Sequence, residues 1–389
     1  SRPVKRIADV TGLRRAQFPE DGGPLAHPVR PTAYREINNF YTATVYQKGA
    51  EVCRMLEAVL GREGFNAGMD LYFDRHDGEA TTIEYFLACF ADATGQDLSQ
   101  FALWYEQAGT PAITARHAYD AAGETLTLEL EQAIPDTPGQ TNKKPMHIPI
   151  RFGLVGPDGQ DLSYTSVSGG DVSDDTIHLT DAQAKLTFEG VRATPVPSLF
   201  RGFSAPVRLD SDLTTSDLIF LVGHDRDPFN RFEASQKLAL DMLVAATAAA
   251  RAGEAVEPDL RLAEALGRLV DDDDLEPAFR AQALTLPGEM DVAEGIGSDI
   301  DPDAIHQARS TIKMAFGDAI GAQAIAAAQR AAPDAAYSPD AEQAGRRALT
   351  HAAMDLGYAG GQVATDELVS AYEAATNLTD RIAPMRTLV

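Results

Sequence analysis

The chain has 389 residues, 44% of them hydrophobic and 23% charged, with a formal net charge of −25. That length exceeds what one hydrophobic core usually organises, so roughly two to four domains are expected. No run of about 18 apolar residues is present to cross a membrane, and the excess of acid repels phosphate backbones, so neither a membrane nor a nucleic acid is expected as a partner.

The opening Ser1-Arg2-Pro3-Val4-Lys5-Arg6-Ile7 carries charge without the apolar stretch of a secretion signal. An Arg-rich transit peptide is the rival reading. Val4, Ile7 and Ala8 recur at helical spacing, so the segment is expected to be a helix tail from a longer protein. A Pro- and Gly-rich loop is expected from Phe18 to Pro31. A helix follows from near Thr42 to Leu60, with Val52, Met55, Leu56, Val59 and Leu60 inward and Gly61 as its stop, and a second covers Phe65 to Arg75. Thr81 and Glu84 have capping-box spacing ahead of the stripe Ile83, Phe86, Leu87 and Phe90. Asp97 can cap the next helix, whose Leu98, Phe101, Trp104 and Tyr105 point inward before Gly109-Thr110-Pro111 breaks the pattern.

From about 112 to 209 the period switches to two. Thr125–Glu131 puts three leucines on one face, Ile148–Val155 gives a second strand before a Gly-Pro-Asp-Gly turn, and Ile177–Leu179, Leu186–Phe188 and Ser198–Phe203 supply more. Short strands at this spacing suggest a small β-sandwich. From about 210 onward the sequence is Ala- and Leu-rich and helical again, as in Phe232–Ala250 and Leu260–Val270, the second capped by Asp259. No clean repeat period is visible, although helix pairs stacked as a solenoid suit the composition. The domains expected are therefore 1–109, helical; 110–209, a β-sandwich; and 210–389, helical.

Cys53 and Cys89 are the only cysteines, which indicates neither a disulfide framework nor a thiolate metal site and fits a reducing cytoplasm. The eight histidines include no His-x-x-x-His pair, so no helical zinc site is encoded. His76-Asp77-Gly78-Glu79 is placed as a helix C-terminal cap rather than a metal site. Asp271-Asp272-Asp273-Asp274 lacks the spacing of a calcium loop and is expected to be a solvated acidic turn. Gly360-Gly361 lacks a phosphate-loop lysine and is a helix break. Composition leaves Ser-His-Asp chemistry open, but no Gly-x-Ser-x-Gly elbow occurs. Periodicity alone makes Tyr41 and Tyr46 packing or rim aromatics at a helix start.

The segment from Glu36-Ile37-Asn38-Asn39-Phe40-Tyr41 through Val45-Tyr46-Gln47-Lys48-Gly49-Ala50-Glu51-Val52-Cys53-Arg54-Met55 resembles the signature of bacterial aminopeptidase N downstream of its zinc site. Similarity continues in Phe18-Pro19-Glu20-Asp21, Leu25-Ala26-His27-Pro28-Val29-Arg30-Pro31, Leu71–Gly78, Trp104–Pro111 and Phe203–Val207, and covers nearly all of the chain, more weakly after about residue 285. The resemblance implies an α+β multidomain protein: the C-terminal helical part of a thermolysin-like catalytic domain (1–109), a β-sandwich (110–209) and the start of a helical, solenoid-like C-terminal domain (210–389).

It also implies the chemistry. In that family zinc is held by His-Glu-x-x-His and a later Glu, the motif's Glu is the general base, and a Gly-Ala-Met-Glu-Asn segment binds the substrate amine. All of these fall upstream of Ser1, so zinc is expected in a full-length parent and not on this chain. By resemblance, Tyr46 is the tyrosine whose hydroxyl stabilises the tetrahedral intermediate, Tyr41 lines the pocket for the first side chain, and Asn38 contacts the substrate backbone. A phenol stays neutral at physiological pH and can donate a hydrogen bond to a developing oxyanion. Two functions follow: a portion of a cytoplasmic zinc aminopeptidase acting on the N-termini of peptides, with broad preference including Ala and no activity by itself, or a non-catalytic protein-interaction module derived from one.

Overall fold

The computed structural model describes residues 2–332 and 337–389; Ser1, where the opening segment begins, and residues 333–336 lie outside the described residues. The chain divides into two compact units, one of residues 8–213 and one of residues 214–389 with the first residues of the chain.

The first unit begins in helix α1 (Arg2–Asp21), so the opening segment is helical as its spacing suggests. The helix runs through Phe18 and Pro19 to Asp21, and the loop starts at Gly22 rather than at Phe18. A proline in a last turn removes a single helical bond, and burial of Phe18 holds the turn in place. Helix α2 (Gly49–His76) is interrupted at Gly61, whose φ of +68° is a left-handed backbone that favours glycine. The expected stop is therefore a break between two helical halves. Helix α3 (Ile83–Thr94) buries Leu87 and Phe90 as its stripe requires. Its N-cap is Thr82 and not Thr81, and Glu84 pairs with Arg30. The short helix α4 (Leu103–Glu106) buries Trp104 and Tyr105, while Asp97 caps only a turn, through the amide of Ser99.

Nine strands follow among the described residues: β1 (Ala112–Asp120), β2 (Thr125–Ala133), β3 (Ile148–Val155), β4 (Ser166–Ser168), β5 (Asp171–Ser173), β6 (Thr176–Leu179), β7 (Gln183–Glu189), β8 (Val196–Leu199) and β9 (Arg208–Ser211). They form a five-stranded sheet in the order β4-β7-β2-β1-β9 and a four-stranded sheet in the order β5-β6-β3-β8. Neighbours are antiparallel except β1 and β9, which pair in parallel with Ala112 opposite Arg208. Leu126, Leu128 and Leu130 fill one face of β2 and meet Ile148, Ile150, Phe152 and Phe188 in the interior. The expected strand Ser198–Phe203 ends at Leu199, because Phe200, Gly202 and Phe203 all take positive φ. The same core continues into Val52, Met55, Leu56 and Phe90, so helices and sandwich share one interior.

The second unit is helical: α5 (Thr215–His224), α6 (Pro228–Ala252), α7 (Leu260–Asp271), α8 (Pro277–Ala283), α9 (Glu289–Ile296), α10 (Pro302–Ala331), α11 (Ala341–Ala359), α12 (Thr365–Ala374) and α13 (Leu378–Leu388). Asp259 caps α7 by accepting the Arg261 amide, and Asp227 and Asp301 cap α6 and α10 in the same way. Helix α10 packs against α6, α7 and α11, burying Leu243, Val270, Ile312, Ile320, Leu349 and Leu356.

Candidate active site

The segment carrying Asn38, Tyr41 and Tyr46 enters from an exposed stretch over residues 32–39. A 3₁₀ turn spans Ile37–Phe40, held from behind by the Asn39 side chain, whose Oδ1 accepts the amides of Arg35 and Glu36 at 3.1 and 3.3 Å. Asn38 sits exposed on this turn, and its carbonyl accepts the Tyr41 amide at 3.1 Å.

One wide π turn, Thr44–Lys48, then precedes α2, with the Gly49 amide reaching back five residues to the Thr44 carbonyl. Single π turns recur at functional sites, where they re-aim side chains. Here the turn puts Thr44 and Lys48 into the interior and leaves Tyr46 58% exposed. Tyr41 is 66% exposed, and the two tyrosine rings lie nearly parallel with centroids 6.0 Å apart. Tyr41 and Tyr46 therefore form one aromatic face, and Asn38 joins it through the backbone.

Beneath that face the contacts are polar. Glu20 accepts the amides of Ala43 and Thr44, and His27 lies 2.9 Å from the Thr42 hydroxyl. Deeper, Lys48 Nζ donates to Asp21 Oδ2 at 2.8 Å and to the Gly109 carbonyl at 2.9 Å, while Asp21 also accepts from the Thr110 hydroxyl. Burial pulls the Lys48 ammonium below its ordinary pKa, and the Asp21 carboxylate works in the opposite direction. The end of α1, the tyrosine turn and the entry to the sandwich are thus pinned to one another. The resembling segments contained Glu20, Asp21, His27 and Lys48, but nothing in spacing or periodicity gave those residues a task.

The remaining polar clusters have structural roles. Gly78, at φ +75°, turns the chain after α2, and His76 meets Glu79 at 3.3 Å, as expected of a helix end. The acidic run at 271–274 is not merely solvated: Asp271 accepts from Arg330 at 2.9 Å and Asp273 from Arg280 at 2.7 Å, because the buried Arg280 needs a counter-charge. Gly360 ends α11, and a side chain there would overlap the backbone at Gly317. Among the described residues no three His, Cys, Asp or Glu side chains converge to hold a metal ion. No described helix is long and apolar enough to cross a membrane.

Three family models match in succession: the peptidase family M1 domain over residues 6–105, the Ig-like domain of unknown function DUF3458 over 109–212, and its companion of ARM repeats, DUF3458_C, over 215–389. The chain is 46% identical to aminopeptidase N of Caulobacter vibrioides over 387 residues, covering 99% of this chain and 43% of the relative. It is 37% identical to aminopeptidase N of Escherichia coli K12 over 390 residues, covering all of this chain and 44% of the relative. The chain is homologous along its whole length to aminopeptidase N. It spans less than half the length of the aminopeptidase N relatives it matches. A crystal structure of Legionella pneumophila aminopeptidase A with aspartic acid matches with a TM-score of 0.79 at 23% identity, over 93% of this chain and 41% of that one, which shows the shared fold. The order of helical segment, Ig-like sandwich and ARM-like helical array is thus that of the aminopeptidases.

Proposed function

We propose that this chain is the portion of a zinc metallo-aminopeptidase that supplies the transition-state tyrosine, in a protein that hydrolyses the N-terminal peptide bond of peptides. The observation that carries the reading is Tyr46 itself: a tyrosine in the resembling signature, projected from a π turn, more than half exposed on a buried polar base. When bound in the complete protein, zinc would supply the activation of the attacking water.

What these residues do is narrower. As the scissile carbonyl becomes tetrahedral its oxygen gains negative charge, and the Tyr46 hydroxyl donates a hydrogen bond to that oxygen without changing protonation. Tyr41, stacked beside it, offers an apolar wall to the first side chain of the peptide, and Asn38 offers its amide to the substrate backbone. The two free thiols are consistent with a reducing cytoplasm.

The test is hydrolysis of an aminoacyl anilide by the purified 389-residue chain with zinc added. No turnover is expected from the chain alone, while the protein expressed from the whole reading frame turns over. Zinc-dependent turnover by the chain alone would overturn the division of labour proposed.

A further inference from the structure

Glu20 and His27 reach the tyrosine segment at the turn before Tyr46. Glu20 uses both carboxylate oxygens, accepting the Ala43 amide at 3.2 Å and the Thr44 amide at 3.3 Å. Such amides open a helix and have no partner inside it.

The proton positions on His27 follow from its neighbours. Nδ1 lies 2.9 Å from the Leu25 carbonyl oxygen, which can only accept, so Nδ1 carries a proton, and Nε2 faces the tyrosine segment with Glu20 Oε1 3.7 Å away. Nε2 shares a hydrogen bond with the Thr42 hydroxyl at 2.9 Å, and Thr42 Oγ1 accepts the Val45 amide at 3.1 Å. Three successive amides, at 43, 44 and 45, are thus held by side chains: two by Glu20 and one by a threonine that His27 orients. The next amide, of Tyr46, bonds the Thr42 carbonyl at 3.1 Å.

We propose that Glu20 and His27 are positioning residues for the Tyr46 hydroxyl, acting through the backbone of Thr42 to Val45. The proposal rests on the reading of Tyr46 given above. A carboxylate at a helix start is also favoured by the helix dipole, so Glu20 holds the turn in place electrostatically as well as by hydrogen bonds. A misplacement of about 1 Å in a group that acts on the transition state can cost on the order of 100-fold in rate.

The experiment is a double-substitution cycle on the protein expressed from the whole reading frame, with turnover and melting temperature both measured. Glu20→Ala is expected to lower kcat by about 10- to 100-fold with KM changed less than about threefold, since the contact matters only in the transition state. In the Tyr46→Phe background the same substitution is expected to change kcat by less than about threefold, because the group it positions is gone. Glu20→Gln, which keeps one accepting oxygen but loses the other and the charge, is expected to restore only part of the loss. An equal drop in both backgrounds, or no drop with Tyr46 present, overturns the proposal. If Glu20→Ala does not fold, His27→Leu runs the same cycle with the same expectation. Unchanged turnover in Tyr46→Phe alone removes the Tyr46 reading, and the positioning role falls with it.

Discussion

Lys48 Nζ lies 2.8 Å from Asp21 Oδ2, and both side chains are only 1% exposed. The pair also takes in the Gly109 carbonyl, the Gly109 amide and the Thr110 hydroxyl. A buried pair of this kind adds little over a well-packed apolar pair, but removing one member strands the other. Lys48→Met is therefore expected to destabilise the protein by about 3–5 kcal/mol, and Lys48→Met with Asp21→Leu to recover much of that loss. Denaturant unfolding of the two variants checks it: a double variant no more stable than the single one contradicts the account.

A second prediction concerns pH. His147 Nε2 lies 2.9 Å from His178 Nδ1, and burial, with His178 beside it, holds the His147 pKa down at about 4. Burial lowers His178 as well. In the unfolded chain a histidine titrates near pH 6.5. Between about pH 6.5 and 4 the unfolded chain thus binds a proton that the folded one refuses, and stability falls as pH falls. The destabilisation from His147 should be nearly absent above about pH 7, about 1.4 kcal/mol at pH 5.5 and on the order of 3 kcal/mol by pH 4. The stability of wild type relative to His147→Gln, followed from pH 7.5 to 4.5, measures it. An equal loss in both proteins would show that other groups carry the acid sensitivity.

A third concerns two glycines with opposite expectations. A side chain at Gly317 in α10 would overlap the Leu356 carbonyl oxygen and the Gly360 amide nitrogen, backbone atoms that cannot swing aside. Gly317→Ala should cost at least about 1–3 kcal/mol through overpacking of the α10–α11 crossing. Gly223, in the last turn of α5, has nothing within 4 Å of the added carbon. Gly223→Ala should stabilise by about 0.4–1 kcal/mol through the unfolded state. Melting temperatures moving in the same direction for both would contradict the packing described.

Much of the fold was legible because burial and period coincide. The three leucines of β2 alternate strictly and lie on one buried face, and Ile148–Val155 is β3 with the bounds its apolar run suggests. What was hidden lacked that signal. In β1 the alternation fades after Ile113 and Ala115, and β4, β5 and β9 are three or four residues long and mostly exposed, so pairing with neighbours defines them. Phe200 and Phe203 look like strand residues, yet positive φ at both turns the chain, a tertiary demand that composition does not carry. In the site, the exposed tyrosines stood out only through family resemblance. Lys48 and Asp21 are 27 residues apart, and Asp21 and Thr110 are 89 apart, so no local pattern could join them.

The most direct measurement is the turnover of Tyr46→Phe in the protein expressed from the whole reading frame, with bound zinc determined on the same sample. Loss of one oxyanion donor is expected to raise the barrier by about 3–4 kcal/mol, or about 100- to 1,000-fold in kcat, with KM little changed and metal content equal to wild type. Wild-type turnover in a folded, fully metallated Tyr46→Phe protein would contradict the central claim.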